Sequence, residues 1–455
     1  MFHILPFVAQ RRQRSGKYAY CLRFPLSYAI NLPIRAVNRI LIVENCRKAS
    51  LRTISVTKIY LMNRPSLYFT SEHELFRQSV RQFIEKYVVP NTEAWESERR
   101  IPIKIFRQMG EQGYLGLNFP EQYGGAGADF WYSVVFLEEL ARCGMGGFAT
   151  AVSVHQFMAV NHIYKAGSES LKQNYLMPAI AGQKVAALGI TEPDAGSDVS
   201  AIRTTARRSG SGDFVVSGTK TFISNGTYGD FITLAVKTAP ERGQAGISLL
   251  VVDLDSVGIT RTKLNKMGWH SSDTAEIRFD EVCVPAENLI GIENKGFYYL
   301  MESLQLERLV AAIMAVSGSE LALEWTLRYL HEREAFGKKI AGFQAIRHTL
   351  ANTATEIEVA RQFVYHTGWL YAQGEPVVKE CSMAKLYASE LQKRTIDTCL
   401  QYFGGYGYME DYPICRAYRD ARVGTIAGGS SEIMREIIAR IVVDAVEYAP
   451  VYQTR

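Results

Sequence analysis

Between about residues 184 and 288 the chain abandons the helical period of hydrophobic residues, and after Pro285 it resumes that period to the end. Any fold for this chain must accommodate that double switch. In the middle stretch, short runs rich in Val, Ile, Thr and Phe are separated by Gly, Asn and Asp, the texture of strands and turns. Strands are expected at Phe214–Val216, Thr219–Ser224, Phe231–Val236, Ile247–Val252 and Ala275–Phe279. No ten-residue helical pattern lies between them, which excludes a βαβ array. Upstream, Ser71-Glu72-His73-Glu74 reads as a capping box before an apolar stripe at Leu75, Phe76, Val80, Phe83, Ile84 and Tyr87, stopped by Pro90. Further helices are expected near 102–113, 130–142 and 168–181. Downstream, segments near 296–332, 341–372, 378–403 and 431–446 suffice for a four-helix bundle. The expected division is a basic extension (1–61) outside the fold, a helical domain (62–185), a β domain (186–290) and a helical bundle domain (291–455).

The net charge of +5 over 455 residues is unevenly spread. Residues 1–61 hold eleven Lys or Arg against one acid, Glu44, which leaves 40 basic and 45 acidic residues for the rest. The body is acidic and has no nucleic-acid footprint. Nothing in the chain reads as a membrane-spanning segment. The Arg-rich tail has the charge of a mitochondrial transit peptide, which would place the protein in the matrix. Its four Ser, its length and the breaks at Pro25 and Pro33 favour the other reading, an early-called start with the native chain opening at Met62 of a bacterial cytoplasmic protein. Seven scattered Cys without a C-x-x-C pair, and eight His without ligand spacing, argue against a metal or dithiol site.

Neither a G-x-G-x-x-G after a strand nor a P-loop is present. Gly-rich turns cluster instead at 191–198, at Asn225-Gly226, at 403–407 and at Gly428-Gly429-Ser430-Ser431-Glu432. Backbone N–H groups there could hold a flavin edge or a pyrophosphate, but taken singly each reads first as an ordinary turn. The last precedes a helix that Ser430 or Ser431 would cap. Glu307 lies inside a strongly apolar helical segment, Leu304-Gln305-Leu306-Glu307-Arg308-Leu309. Such a carboxylate is paired with Arg308, held at the bundle surface, or poised as a base whose pKa desolvation raises.

Over roughly residues 66–445 these motifs, in this order, resemble the acyl-CoA dehydrogenase family. The carrying segments are 188–198 (Leu-Gly-Ile-Thr-Glu-Pro-Asp-Ala-Gly-Ser-Asp), 218–226 (Gly-Thr-Lys-Thr-Phe-Ile-Ser-Asn-Gly), Arg333-Glu334-Ala335-Phe336-Gly337 with Gln344, 401–408, and Arg419-Asp420-Ala421-Arg422. The resemblance implies a mainly α fold with a middle β-barrel domain between an N-terminal helical domain and a C-terminal four-helix bundle, in a homotetramer. It implies FAD as cofactor, with the flavin end against Leu188, Ile190, Thr191, Ser197, Phe222, Ile223 and Ser224. The diphosphate end would meet Arg333, Phe336, Gln344, Gln401, Phe403, Gly404 and Gly405 across a subunit interface, with Ser431 and Glu432 also facing FAD. Ser197, Gln305, Arg308, Gly428 and Gly429 would contact the acyl-CoA.

The resemblance also carries departures. Many members place the catalytic Glu where this chain has Gly428. A minority, the isovaleryl and long-chain types, carry it in a segment like Leu306-Glu307-Arg308-Leu309, which implies Glu307 as the base. Gln305 stands where many members have Asp, and with 294–299 and Gly428-Gly429 it is closer to the long-chain type. Phe222 replaces a common Trp beside the flavin. The implied reaction is α,β-dehydrogenation of a fatty acyl-CoA to the trans-2-enoyl-CoA, with electrons passed to electron-transfer flavoprotein, in β-oxidation or branched-chain acyl-CoA breakdown. Two alternatives stand beside it. Known acyl-CoA oxidases carry an extra C-terminal bundle that this chain lacks, and a nucleic-acid-binding flavin relative fits poorly with the acidic body.

Overall fold

The computed structural model of the protein describes residues 66–448. The basic extension and Met62, with both readings of them, lie outside those residues. The first helix, α1 (Ser71–Tyr87), is capped by Thr70 rather than Ser71. The His73 imidazole takes the role expected of Glu74, accepting the Thr70 N–H at Nδ1 (3.0 Å). Leu75, expected on the inner stripe, is exposed, and the buried face is His73, Val80, Phe83 and Ile84. Pro90 sits in the 3₁₀ turn after the helix, as its missing N–H demands.

Helices α2 (Thr92–Glu98), α3 (Lys104–Glu111) and α4 (Phe130–Ala141) follow. Then come α5 (Gly146–Ser153) and α6 (Val160–Ala166), joined by a π turn at Val154–Ala159. The sequence reading omitted α5 and α6 because they are buried almost all round and show no amphipathic stripe. A second π turn joins α7 (Glu169–Leu171) to α8 (Met177–Ile180).

The middle strands form one eight-stranded sheet. They are β1 (Ala186–Gly189), β2 (Thr205–Arg208), β3 (Phe214–Ser224), β4 (Phe231–Lys237), β5 (Ile247–Asp253), β6 (Ile259–Lys263), β7 (Thr274–Val284) and β8 (Leu289–Ile290). The order is β6-β7-β3-β2-β4-β5-β8, and β1 runs parallel to β4. The two runs expected at Phe214–Val216 and Thr219–Ser224 are a single strand, β3, with register shifts against β7 at Val216/Gly218 and Lys220/Ile223. β2 and β6 escaped the reading because their Thr- and Arg-rich residues look like loop.

The C-terminal part contains α9 (Gly296–Glu332), α10 (Gln344–Ala372), α11 (Val378–Phe403), α12 (Pro413–Ala421) and α13 (Ser431–Val442). A two-stranded hairpin, β9 (Glu334–Ala335) with β10 (Lys338–Lys339), links the first two helices. The 37-residue α9 is buried on more than one face, so it runs through the molecule rather than along its surface. Leu309, Val310 and Ile313 of α9 share one core with Val80 and Phe83 of α1, Phe136 and Leu137 of α4, Ile357 of α10 and Ala384 of α11.

Asp420, at the end of α12, ties three regions together. Its Oδ1 accepts the Trp269 N–H (2.6 Å) from the β region, and its Oδ2 accepts the Gly146 N–H (3.0 Å) that opens α5. Burial raises its pKa to about 6, against the pull of those two N–H groups. Asn has one acceptor and would turn its NH₂ toward one of the two donors. Asp420→Asn is therefore expected to lose about 1–3 kcal/mol, read at neutral pH as a lower urea midpoint with unchanged slope.

Candidate active site

The long helix α9 brings Glu307 and Arg308 into the interior together. Glu307 is 7 % exposed, and its Oε1 has no hydrogen-bond partner among the described residues. Burial pushes its carboxyl up to about 7, a rise that Arg308 and the Ser303 hydroxyl only partly oppose. Of the three readings open for Glu307 in the sequence, the surface one fails on this burial. The ion-pair reading fails on the direction of Arg308. That guanidinium turns toward Gln305 Oε1 (3.4 Å) and Ser382 Oγ (3.5 Å), while its Nε, also buried, finds no partner among the described residues. Gln305 is anchored in turn by its amide, which donates to the Met301 carbonyl (3.0 Å).

Facing Arg308 on α11 is Lys385, fully buried, whose ammonium donates to the Gly429 carbonyl. Burial, then Arg308, lower its pKa to about 8. The turn that it grips is Gly428 (φ 65°) and Gly429 (φ 94°), both in the left-handed region that favours glycine. A Cβ added at Gly428 would meet no atom within 4 Å, so the turn borders open space. Ser430 then caps α13, accepting the Ile433 N–H (3.3 Å). Glu432 is exposed in the first helical turn, and Ser431 is buried with its Oγ unpartnered among the described residues.

A second group gathers on the sheet. The Thr221 N–H donates to the Thr191 carbonyl (2.9 Å), which seals the 188–198 segment against β3. Beneath that seam, the fully buried Lys220 donates to Glu192 Oε1 (2.7 Å) and to the Ile190 carbonyl (3.0 Å). Glu192 also accepts the backbone N–H groups of Arg203 (2.5 Å) and Thr204 (2.9 Å). Burial lowers the Lys220 pKa to about 8 against the pull of Glu192. At the register shift that follows, Phe222 takes a φ of 61° and presents a ring 68 % exposed, while Ile223 points into the core. Leu188, Ile190, Thr191 and Ser224 are half-buried around it, and Ser197 is exposed. Lys220, Glu192 and Lys385 were not singled out from sequence. The available signal was a lysine among residues without other charge, Cys381-Ser382-Met383-Ala384-Lys385 on α11 and Val215–Ile223 on β3.

The third group sits elsewhere. Arg333 follows the end of α9, roughly 40 Å along the helix axis from Glu307. Its guanidinium lies over the Tyr406 ring (5.9 Å). Phe336 has a φ of 53° and is 94 % exposed. Gln344, Gln401, Gly404 and Gly405 are exposed too, while Phe403 is buried and stacks on Tyr329 (4.4 Å). One chain therefore does not bring this group together with Glu307.

Three family profiles match in sequence order. The acyl-CoA dehydrogenase N-terminal domain covers residues 70–183, the middle domain 187–282 and the C-terminal domain 294–443. The chain belongs to the acyl-CoA dehydrogenase family. Its members are oxidoreductases acting on the CH–CH group of acyl-CoA thioesters, and they bind FAD. The chain is 42 % identical to the long-chain specific acyl-CoA dehydrogenase, mitochondrial, of Sus scrofa, over 82 % of this chain and 87 % of that protein. An acyl-CoA dehydrogenase structure from Geobacillus kaustophilus superposes with a TM-score of 0.81 at 43 % identity, covering 83 % of this chain and all of that one. A Bacillus anthracis acyl-CoA dehydrogenase complexed with FAD superposes at 0.77 with 32 % identity, covering 81 % of this chain and 66 % of that one.

The raised Glu307 pKa has a consequence for stability. A carboxyl lifted from 4.5 to about 7 on folding contributes stability that is fully present below about 4.5 and lost as pH rises through 7. Glu307→Gln removes that loss. The variant is expected to be more stable than the parent at pH 8, by at most about 3 kcal/mol, and equal to it near pH 4.5. Thermal unfolding at the two pH values measures the difference.

Proposed function

We infer that the protein oxidises a fatty acyl-CoA to the trans-2-enoyl-CoA, with Glu307 as the base that removes the α proton. The observation that carries this reading is a buried carboxylate with one oxygen unpartnered among the described residues, whose pKa burial pushes up to about 7. The α C–H of a thioester is a weak acid, and a base for it gains from desolvation. The Gly428 N–H, beside open space, is assigned as the donor to the thioester oxygen, where negative charge develops as the proton leaves. Lys385 ties that turn to α11 through the Gly429 carbonyl. Gln305, Arg308, Gly429 and Ser197 are assigned to the CoA and thioester part of the substrate.

The residues fit FAD. The exposed Phe222 ring and the half-buried Leu188, Ile190, Thr191 and Ser224 offer an apolar platform edged by hydrogen-bonding groups, and the Ser431 hydroxyl at the head of α13, unpartnered among the described residues, is assigned to FAD as well. Ile223 shapes that platform from below, and the exposed Glu432 is assigned to FAD beside Ser431. Bound FAD would supply the two-electron oxidation, accepting the β hydrogen with its electron pair. Arg333, Phe336, Gln344, Gln401, Phe403, Gly404 and Gly405 are assigned to the diphosphate end. Their exposure and their distance from Glu307 call for a second copy of the chain to complete each site, in keeping with the tetramers typical of the family. Electron-transfer flavoprotein is the acceptor that the family resemblance supplies. A long straight acyl chain is favoured by the 42 % identity to a long-chain specific enzyme.

Anaerobic bleaching of the flavin by butyryl-, isovaleryl-, octanoyl- and palmitoyl-CoA tests the reading, with palmitoyl-CoA expected to be fastest. With the best of these, Glu307→Gln is expected to bind both flavin and thioester yet to reduce the flavin about 10²–10⁴ times more slowly. In the parent, the rate of bleaching should rise with pH through about 7 and then level, because only the ionised carboxylate accepts the proton. Bleaching of the Gln variant at the parent rate would remove Glu307 from the mechanism. Arg333→Ala is expected to lose FAD on gel filtration while its circular dichroism stays unchanged, since a guanidinium pairs bidentately with phosphate.

A further inference from the structure

Lys385 occupies a position where the packing of α11 calls for an apolar side chain. Its neighbours on the buried face are Cys381, Ala384 and Ala388. It is 1 % exposed, and a buried ammonium persists only where it has something to bind. Its acceptor is the Gly429 carbonyl, and Glu432 and Glu390 attract it from further away while Arg308 repels it.

The carbonyl that it holds belongs to an unusual hinge. Gly428 and Gly429 are consecutive left-handed glycines, and two glycines together have wide backbone freedom. The chain is restrained on either side of them. The Ala427 N–H donates to the Val423 carbonyl (2.9 Å), and Ser430 is committed to capping α13. Neither restraint acts within the glycine pair, whereas the Lys385 bond does. Among the described residues no backbone carbonyl accepts the Gly428 N–H, so that donor is available to a ligand, and its direction depends on how the hinge is held.

We propose that Lys385 is a positioning residue for the reaction: by holding the Gly429 carbonyl from α11, it aims the Gly428 N–H at the thioester oxygen without itself touching the substrate. This rests on the reading of Gly428 as the oxyanion donor. The effect is selective. A correctly aimed donor favours a ligand that carries negative charge on that oxygen over one that lacks the oxygen altogether.

The test measures binding, by calorimetry on the flavin-loaded protein, of two CoA compounds of equal chain length. A 3-oxoacyl-CoA has an acidic α carbon and can bind as its enolate. An S-alkyl-CoA thioether has no carbonyl oxygen. The parent should prefer the first. Lys385→Met should lose that preference by about tenfold or more while thioether affinity stays within about threefold, and Lys385→Arg should restore most of it. If Lys385→Met does not fold, Lys385→Gln, which is polar and shorter, replaces it with the same expected loss. A preference unchanged in the Met or Gln variant overturns the proposal, as does an equal loss for both ligands, which would mark a structural role. A parent protein without any preference overturns the Gly428 reading itself, and the proposal with it, and so separates the two failures.

Discussion

The burial of α9 is the constraint on which the active-site chemistry depends. Leu309, Val310 and Ile313 anchor this helix in a core shared with α1, α4, α10 and α11, so whatever side chains it carries at the same level are carried inward with them. Two of these are Glu307 and Arg308. Desolvation opposes charge on both and drives them in opposite directions, the carboxyl up and the guanidinium down. Were they paired, the carboxylate would be stabilised and a poor base. Instead Arg308 is drawn aside by Gln305 and Ser382. The core thereby holds an acid without an ion-pair partner among the described residues, which weakens the fold at high pH.

Charge balance extends this logic to α11. Lys385 and Arg308 are two buried cations that repel each other, an arrangement that is unfavourable for folding alone. It becomes intelligible at a site where a substrate acquires negative charge. The glycine turn at 428–429 is the mechanical counterpart, a flexible element tied to a rigid helix by one charge-assisted bond.

On the sheet side, the Lys220–Glu192 pair does comparable work under the surface. With one carboxylate Glu192 accepts the Lys220 ammonium and two backbone N–H groups, so the 188–198 segment cannot lift from β3. The register shift immediately after Lys220 then forces Phe222 outward at a positive φ. An aromatic ring exposed to this degree is costly to leave in water and is suited to stacking on a planar ligand.

Local pattern was enough for the helix–sheet–helix order, for the long helices beginning near 296 and 378, and for a cap at Ser430 or Ser431, because periodicity and capping are carried by residues a few positions apart. It was also enough to bring Glu307, Arg308 and the glycine motifs to notice through their resemblance to the family. It misled where neighbours in space outranked neighbours in sequence. Thr70 and His73 displaced the expected capping box, since His73 also meets Asp129, 56 residues away. The largely buried α5 and α6 showed no stripe, and β2 and β6 drew their order from partners rather than from propensity. The motifs themselves contain no hint that Arg308 faces Ser382 and not Glu307, that Lys385 reaches Gly429 over 44 residues, or that Arg333 and Glu307 stand at distant levels of one helix. Those relations decide the pKa of Glu307 and the direction of its neighbours' charge. Only the tertiary structure sets them, because desolvation and Coulombic balance depend on what the whole fold packs around each group.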